Sequence, residues 1–341
     1  MADARRAVPS LSFNGKSVNT TLKDYIKSVS FTDVASGESD SISIVLQNIE
    51  MEWLGKWYPK KGDRIKGGVT LKNWNREGEN KRISYGTYIL DEIRYSGGPL
   101  TATFGGLAIP ANDSFKTRNR TKTWKKVTLH GIASEIASRY GLGLSYEAGN
   151  YSINALEQSE ENDSSFLYNT VKKYGLKMKV YNSRIVIFDP VKMEARRTAA
   201  TLKRESFVGD SWDYQDSLEG TYTGARMSYK SEKKSDRELS VYVGIKGENA
   251  KGSRILRINS QADSIADAQV QARAQVNLAN ESMTTLNGQI WPDIRIVSGV
   301  TVRVTDMGKA DGKYFVDKVT LEVSDSGTKQ RIEMHKCQKR I

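Results

Sequence analysis

The stretch EQSEENDSSFLYNTVKKYGLKM, residues 157–178, changes character halfway along its length. Its first seven residues carry four acids, whereas the residues that follow bring an apolar pattern and three lysines. Asn162 or Asp163 is typical of a helix N-cap, because a short polar side chain accepts hydrogen bonds from the free N–H groups of the first turn. Gly175 is typical of a helix end, since glycine adopts the left-handed C-cap backbone without steric cost. We therefore predict a helix between these residues, with an apolar face formed by Phe166, Leu167, Val171 and Tyr174.

The four acids of this stretch are also candidates for catalysis, as the acid and nucleophile of a glycosidase that cuts cell walls. The candidates are Glu157, Glu160, Glu161 and Asp163. A general acid of that kind needs an apolar pocket that raises its pKa, whereas these acids lie in a run rich in Ser and Asn. An EF-hand calcium loop needs alternating oxygen ligands, a central Gly and a final Glu, a spacing that the run lacks. We therefore interpret the acids as the approach to a helix N-terminus, where negative charge is favoured.

The segments on either side extend this stretch into a small α+β unit. Residues 127–140 place apolar side chains at helical spacing and stop before Gly141, which predicts a second helix. Residues 177–190 indicate two strands separated by a two-residue Asn-Ser turn, which predicts a hairpin. Residues 127–190 therefore indicate a helix, an extended link, a helix and a hairpin.

The chain before residue 112 is rich in strand patterns. Residues 40–49 alternate Ile and Leu with polar residues, a period of two that is typical of a half-buried strand. Residues 60–74 indicate a turn leading into a strand, and residues 83–109 indicate two strands around a Ser-Gly-Gly-Pro turn. Several short strands with frequent turns predict a small antiparallel barrel or sandwich.

The chain beyond residue 200 returns to strands and adds one long helix. Strand patterns recur over residues 207–258, and we predict the charged run 230–238 as a loop between two of these strands. Residues 262–283 are rich in Ala and Gln and predict a helix, after which strands continue to about residue 336. The small-residue face expected to pack closely comprises Ile265, Ala268, Ala272, Val276 and Ala279.

The composition excludes several kinds of site. With Cys337 as the one cysteine among 341 residues, the chain forms neither an internal disulfide nor a Cys-based zinc site. The two histidines, His130 and His335, exclude a His-rich metal centre, and we interpret His130 as a surface or capping residue. The sequence contains no phosphate-binding loop and no nucleophile elbow. It also lacks a membrane-spanning run and the apolar core of a secretory signal, so we expect folding in the cytosol.

The formal net charge of +12 raises nucleic acid as a partner. The segment 113–126 is notably basic, with six Lys and Arg among fourteen residues. We predict it as a connector that is either solvated or in contact with phosphate or with an acidic partner.

Aromatic residues are interleaved with basic ones in two places. They are Trp53, Trp57 and Tyr58 in one segment, and Phe115 and Trp124 in the other. Such rings stack on bases in nucleic-acid-binding proteins. Trp and Tyr are also enriched in subunit interfaces, and we favour that interpretation for a chain that is mainly β.

Four stretches in a fixed order carry a resemblance. The first is KKGDRIKGGVTLKNW (60–74), and the second is YGTYILDEIRYSGGPLTATFGGLAIP (85–110), which is similar to a G-x-[FY]-x-[ILV]-D … G-x-P segment. The third joins TWKKVTLHGIASEIASRYGLGLSY (123–146) to the opening stretch, and the fourth is VSGVTVRVTDMGKADGKYFVDKVTLEVSDSGTKQRIEM (297–334). Together they resemble the late control gene D family, the central baseplate hub proteins of contractile phage tails and of R-type bacteriocins (tailocins). The family's V-x-H before the last strand is replaced here by VTLEV, residues 319–323.

The resemblance covers nearly the whole chain and implies both a fold and an assembly. The fold class is α+β and mainly β, with two tube-like antiparallel β-barrel domains and a small inserted α+β domain. The expected domains are residues 1–112 (first barrel), 113–200 (insert) and 201–341 (second barrel with the long helix). Three chains would form a homotrimer with a pseudo-sixfold ring, which matches a sixfold tail tube on one side and a threefold spike on the other.

The resemblance also implies partners and a location. The partners are other copies of the chain, the tail tube or tube-initiator protein, the spike protein, the tape measure protein, baseplate wedge proteins and LysM-type hub-associated proteins, with no membrane. The role is structural, so no catalytic, cofactor-binding or metal residues are expected. The protein would assemble in the bacterial cytoplasm and leave in the baseplate of a phage tail or tailocin particle. A cell-wall-degrading tail-associated enzyme and a nucleic-acid-binding protein remain the alternatives from the sequence.

Overall fold

The computed structural model describes residues 4–74, 76–108, 114–231, 234–244 and 254–341. The chain is mainly β with large antiparallel sheets, as the sequence predicts. No helix within the described ranges is both long enough and apolar enough to cross a membrane.

The first part of the chain forms strands that alternate buried and exposed positions. Its elements are β1 (Arg6–Phe13), β2 (Lys16–Ser17), α1 (Asn19–Leu22), β3 (Ile26–Val34), β4 (Ser41–Gln47), β5 (Arg64–Lys72), β6 (Asn80–Ser96) and β7 (Thr101–Leu107). The strands predicted within 40–49, 60–74 and 83–109 are confirmed. In β4 the buried positions are Ile42, Ile44 and Leu46, as the period of two requires.

The middle part combines helices with short strands. Its elements are α2 (Ser114–Thr117), β8 (Asn119–Thr128), α3 (Leu129–Arg139), β9 (Gly143–Glu147), β10 (Ser152–Asn162), α4 (Asp163–Lys173), β11 (Lys177–Tyr181), β12 (Arg184–Phe188) and α5 (Pro190–Ala195). Both predicted helices are confirmed, and Asn162 caps α4 by accepting from Ser165 N at 2.9 Å. The predicted hairpin is also confirmed, because Asn182 and Ser183 both have positive φ, as a two-residue type I′ turn requires.

The segment 113–126 is not a connector in its described part. Residues 114–126 form α2 and most of β8, and β8 pairs antiparallel with β10 along its length. The prediction of a linker was wrong because a run of basic side chains in a strand looks the same in sequence as a solvated loop.

The last part of the chain contains nine strands and one long helix within the described residues. Its elements are β13 (Ala200–Leu202), β14 (Phe207–Asp216), β15 (Gly224–Ser231), β16 (Lys234–Gly244), β17 (Ile255–Asn259), α6 (Ile265–Asn280), β18 (Thr284–Ile290), β19 (Thr301–Val304), β20 (Gly312–Ser324) and β21 (Gly327–Lys336), with short 3₁₀ turns at Arg204–Ser206 and Gly308–Ala310. The β13 strand is three residues long and pairs with β19.

Two details of this part correct the sequence prediction. The α6 helix buries Ala268, Ala272 and Val276, but Ile265 is exposed and does not belong to its packed face. The charged run 230–238 is not simply a loop, because the backbones of β15 and β16 pair into it from both ends. Residues 232–233 of that run lie outside the described residues.

One strand pair joins the first and last parts of the chain. The β3 and β20 strands pair antiparallel, so that the order β14-β18-β21-β20-β3-β4-β7-β6-β5-β1-β2 forms one continuous sheet, with β13 and β19 branching from β20. Residues 312–315 of β20 pair with β19 and residues 318–324 pair with β3, and a bulge separates the two segments. The β1 strand returns close to β20 and β21, so the first part curls into a barrel.

The apolar cores reflect the sheet that the first and last parts of the chain share. The apolar core of the first part includes Leu321 and Val323, which belong to β20. A second core lies among α3, α4 and the sheet β11-β12-β9, and a third lies within the last part of the chain. The sheet β16-β15-β17 packs on α6, which also contacts α4.

Candidate assembly surface

The acidic and basic runs that stand out in the sequence face each other. The β10 strand carries Glu157 and Glu161, and in its register with β8 Glu161 lies opposite Arg120. Glu161 also accepts a hydrogen bond from Asn169 Nδ2 at 2.8 Å. Opposite charges on neighbouring strands stabilise the pairing. The two runs therefore lie side by side, and the pairing of Glu161 with Arg120 needs no substrate to account for it.

Asp163 is the fully buried member of the four acids. Gln158 donates to its Oδ1 at 2.8 Å, while Tyr140 and Arg139 donate to its Oδ2 at 2.7 and 2.6 Å. The Arg120 guanidinium lies 3.2 Å from the same oxygen. Burial alone would raise the pKa of Asp163, but the hydrogen bonds outweigh it and hold that pKa below its usual value. A glycosidase acid needs the opposite shift, so Asp163 serves to fix α4 against β10 and α3.

Phe115 and Trp124, two of the five aromatic residues considered for stacking or for an interface, lie in the core of the middle part. Phe115 is completely buried, and Trp124 is 3% exposed and stacks on Phe166. Lys122 lies with Nζ 3.7 Å from the centroid of the Trp124 ring and pairs with Glu135. Neither ring is open to a base or to another subunit, so both interpretations were wrong for this segment.

Lys179 joins the three parts of the chain at one point. It lies on β11, and its Nζ donates to Asp33 Oδ1 at 2.5 Å, to Val34 O at 3.0 Å and to Ser298 Oγ at 3.2 Å. Asp40 Oδ2 lies 3.4 Å away. Asp33 also accepts from Ser298 N at 2.8 Å, so one lysine and one aspartate connect β3, β11 and the loop before β19.

The negative charge of Asp40 is less completely balanced by Lys179 than that of Asp33. It is 2% exposed, accepts from Val34 N at 3.0 Å and lies farther from Lys179 than Asp33 does. Burial is the largest cause that raises the pKa of Asp40 to about 6, and Lys179 offsets only part of it.

A second lysine of β11 makes a related junction. Lys177 Nζ lies 2.9 Å from Glu281 Oε2 and 3.5 Å from Asp317 Oδ1, and His335 Nδ1 lies 2.6 Å from Asp317 Oδ2. Burial alone would raise the pKa of Asp317, but His335 and Lys177 lower it. The donor atoms of Glu281, Asp317 and His335 are close enough to hold a metal ion. The Lys177 ammonium already supplies the positive charge beside both carboxylates, so the group is explained as an ion-pair network.

Sequence reasoning did not identify these two lysines. Lys177 and Lys179 alternate with Met178 and Val180 along β11, a pattern that normally places lysines in solvent. The acids that bind Lys179 come from β3 and the following loop, more than 130 residues away, so no local signal marks the junction.

The other three aromatic residues lie at one end of the first barrel. Trp53 makes edge-to-face contacts with Tyr25, Trp57 and Phe104 at centroid distances of 6.0, 5.2 and 5.5 Å. The Trp53 backbone is held by Asn48, whose Oδ1 accepts from Trp53 N at 3.2 Å. This packing fixes the cluster before any partner arrives.

An apolar groove of about 290 Å³ opens beside this cluster. We call it the Trp53 groove, and its walls include Phe13, Val18, Leu22, Trp53, Trp57 and Pro59. Trp57 and Tyr58 are exposed, as are four further large apolar side chains in and beside the same segment: Ile49, Met51, Leu54 and Leu100. A concentration of exposed apolar side chains of this kind marks a surface for protein–protein contact.

Comparison with known proteins gives a likeness in structure and none in sequence. No protein-family model matches the chain, and no curated protein matches it. The tail protein from Neisseria meningitidis MC58 matches over 97% of this chain and 97% of its own length, with a TM-score of 0.73 and 14% identity. The 43 kDa tail protein of prophage MuSo2 from Shewanella oneidensis matches over 97% and 98%, with a TM-score of 0.68 and 12% identity.

A third match comes from a secretion system. An E. coli component of the type VI secretion system, structurally similar to the T4 bacteriophage tail proteins gp27 and gp5, matches over 97% of this chain and 77% of its own, with a TM-score of 0.56 and 11% identity. At such identities the likeness establishes the fold. The chain has the fold of phage tail proteins.

Proposed function

We propose that the chain is a structural baseplate hub protein of a contractile injection system, of the late control gene D type. In this proposal it forms a homotrimer that adapts a sixfold tail tube to a threefold spike, and it performs no catalysis. It contacts the tube or tube initiator, the spike, the tape measure protein, the wedge and LysM-type hub-associated proteins.

The observation that carries the proposal is the β3–β20 pair. It places the strands of the first part and those of the last part side by side in one sheet within a single chain. Two such units in one chain become six in a ring of three chains, which is the relation that a threefold-to-sixfold adaptor needs. We assign the units to residues 1–112 and 201–341, with residues 113–200 as an insert on the outside of the ring.

The tail-protein fold supports the proposal over the two alternatives. The fully buried acid of the run, Asp163, has a lowered pKa, and three of the five candidate stacking rings are buried: Trp53, Phe115 and Trp124. The Trp53 groove and its exposed surroundings fit a subunit or tail-protein contact better than a nucleic acid, because the groove is apolar.

The test is the number of copies in an intact particle. We expect three copies per baseplate, located between tube and spike, when purified particles are imaged by cryo-electron microscopy. The purified chain should likewise run as a trimer in light scattering at the concentrations used for assembly. Six copies per particle, or a position elsewhere in the particle, would contradict the proposal.

A further inference from the structure

The continuous sheet ends in two strands of opposite charge. At one end lie β1 and β2, in a segment (residues 4–23) with four basic residues and no acid. At the other end lies β14, in a segment (residues 207–224) with four acids and no basic residue, and one of these acids, Asp210, pairs with Arg204 just before the strand. The outer edge of β1 is covered by β2 and by Asn19 and lies close to β20 and β21, so the two ends would meet through their side chains, and opposite charges orient such an association. The two edges are therefore complementary to each other and not to themselves.

Each edge also carries an apolar feature at the same end of its strand. The Trp53 groove includes Phe13, the last residue of β1, and Val18, which directly follows β2. Leu218 lies two residues beyond the end of β14 and is 62% exposed, more than any other large apolar side chain in the described ranges. Asp216 and Glu219 lie within two residues of this leucine, whereas Lys23 and Lys60 adjoin the groove residues Leu22 and Pro59 in the sequence.

The tip is held in place by its own backbone contacts. Ser217 N donates to Met283 O at 2.8 Å, and Glu219 N donates to Ser217 Oγ at 3.1 Å. The carbonyl of Leu218 accepts from Thr221 Oγ1 at 2.8 Å. A protrusion that is already ordered loses little conformational entropy when it enters a preformed groove.

From these features we propose that the occupant of the Trp53 groove is Leu218 of a second copy of this chain. The contact is head-to-tail: the basic β1–β2 edge of one copy lies beside the acidic β14 edge of the next, and the two strands run in the same direction. Such a heterologous contact closes into a ring when its rotation allows. This contact would form the interface between neighbouring copies in the proposed trimer, so the inference rests on the proposed function.

The first experiment removes the apolar tip. Leu218→Asp should weaken self-association roughly ten- to hundredfold, the loss expected for one buried leucine side chain. Val191→Asp is the matched control, because Val191 is also an exposed apolar residue but lies on α5 of the insert. Circular dichroism confirms that both variants are folded, and sedimentation velocity across a concentration series measures association. Equal association of the two variants would overturn the proposal.

The second experiment exchanges the charges of the two edges. Asp213→Lys with Glu219→Lys should weaken association, and adding Arg6→Glu with Lys16→Glu in the same chain should restore it, because every contact then regains opposite charges. All four side chains are exposed, so we expect the substitutions to leave folding unchanged. Failure of the fourfold variant to recover, with the twofold variant weakened, would overturn the contact between the two edges.

The third experiment separates this inference from the proposed function. In a Cys337→Ser background, Val18→Cys and Leu218→Cys should form a disulfide between copies under mild oxidation, giving covalent oligomers up to the trimer. A trimer that forms without this cross-link overturns the inference and leaves the hub proposal standing. A chain that shows no trimer, alone or in the particle, overturns both.

Discussion

Asp33 and Asp40 bind the same lysine but differ in how completely their charges are balanced. Asp33 has Lys179 at 2.5 Å and two further donors from Ser298, whereas Asp40 has Lys179 only at 3.4 Å and is almost wholly buried. Burial disfavours the charged form of a carboxyl, so the pKa of Asp40 rises from 3.8 to about 6. The folded protein therefore holds a proton on Asp40 that the unfolded chain releases in this range.

This difference predicts a pH dependence of stability. Because the folded state binds more protons than the unfolded state between pH 3.8 and about 6, the Asp40 contribution to the free energy of unfolding decreases as pH rises through that window. The Asp40→Asn variant has no carboxyl at this position to bind the proton, so it lacks this pH-dependent contribution. We expect the melting temperature of the parent, minus that of Asp40→Asn, to be larger at about pH 4 than at about pH 7. Asp24→Asn, at an exposed position, is the control. A difference that is constant with pH, or larger at neutral pH, would show that folding does not raise the pKa of Asp40.

At the scale of elements, β11 is the strand that docks the insert on the rest of the chain. Its inner positions Met178 and Val180 pack in the core of the insert, while Lys177 and Lys179 reach across to acids of the other two parts. The same strand thus contributes to a core with one face and to an interface between parts with the other.

Removal of one of these lysines should loosen that interface. Lys179→Met leaves Asp33 and Asp40 without their cation, and breaking a buried ion pair on one side costs about 3–5 kcal/mol. We expect a lower melting temperature and faster hydrogen exchange in β11 and in residues 33–40. Lys192→Met, on the exposed side of α5, should change neither. If exchange increases only within β11, the lysine does not hold the parts together.

At the scale of the whole molecule, β20 belongs to two cores. Its first residues pair with β19, and its last residues pair with β3 and place Leu321 among the core residues of the first part. The stability of the first barrel therefore depends on residues more than 200 positions later in the chain.

A truncation at this position tests that dependence. Leu321→Ala should lower the free energy of unfolding by about 3 kcal/mol, because a buried leucine leaves a cavity. We expect the resulting loss of hydrogen-exchange protection to include β3 and β4, since Leu321 lies opposite Phe31 in the sheet register. Glu322→Ala, the exposed neighbour, should leave protection as it is. Loss confined to β20 and β21 would mean that the two parts are energetically separate.

Local signals in the sequence determined most of the elements. The period of two in β4, the Asn162 cap and Gly175 around α4, the Asn182–Ser183 turn and the apolar spacing of α3 depend on neighbouring residues alone. The same reasoning failed for β8 and for the run 230–238, because charged residues are compatible with a loop and with a strand. Pairing decides between the two, and pairing is not local.

The sequence by itself determined that this protein is mainly β with a small α+β unit, since hydrophobic period, caps and turns act within a few residues. The tertiary structure decided where the opposite charges meet: the basic β8 beside the acidic β10, Lys179 beside Asp33, and the β1–β2 edge at one end of the sheet with the β14 edge at the other. Each of these depends on contacts between residues that are distant in the chain. The residues around a charged side chain in the sequence do not identify its partner, so these contacts follow only from the fold.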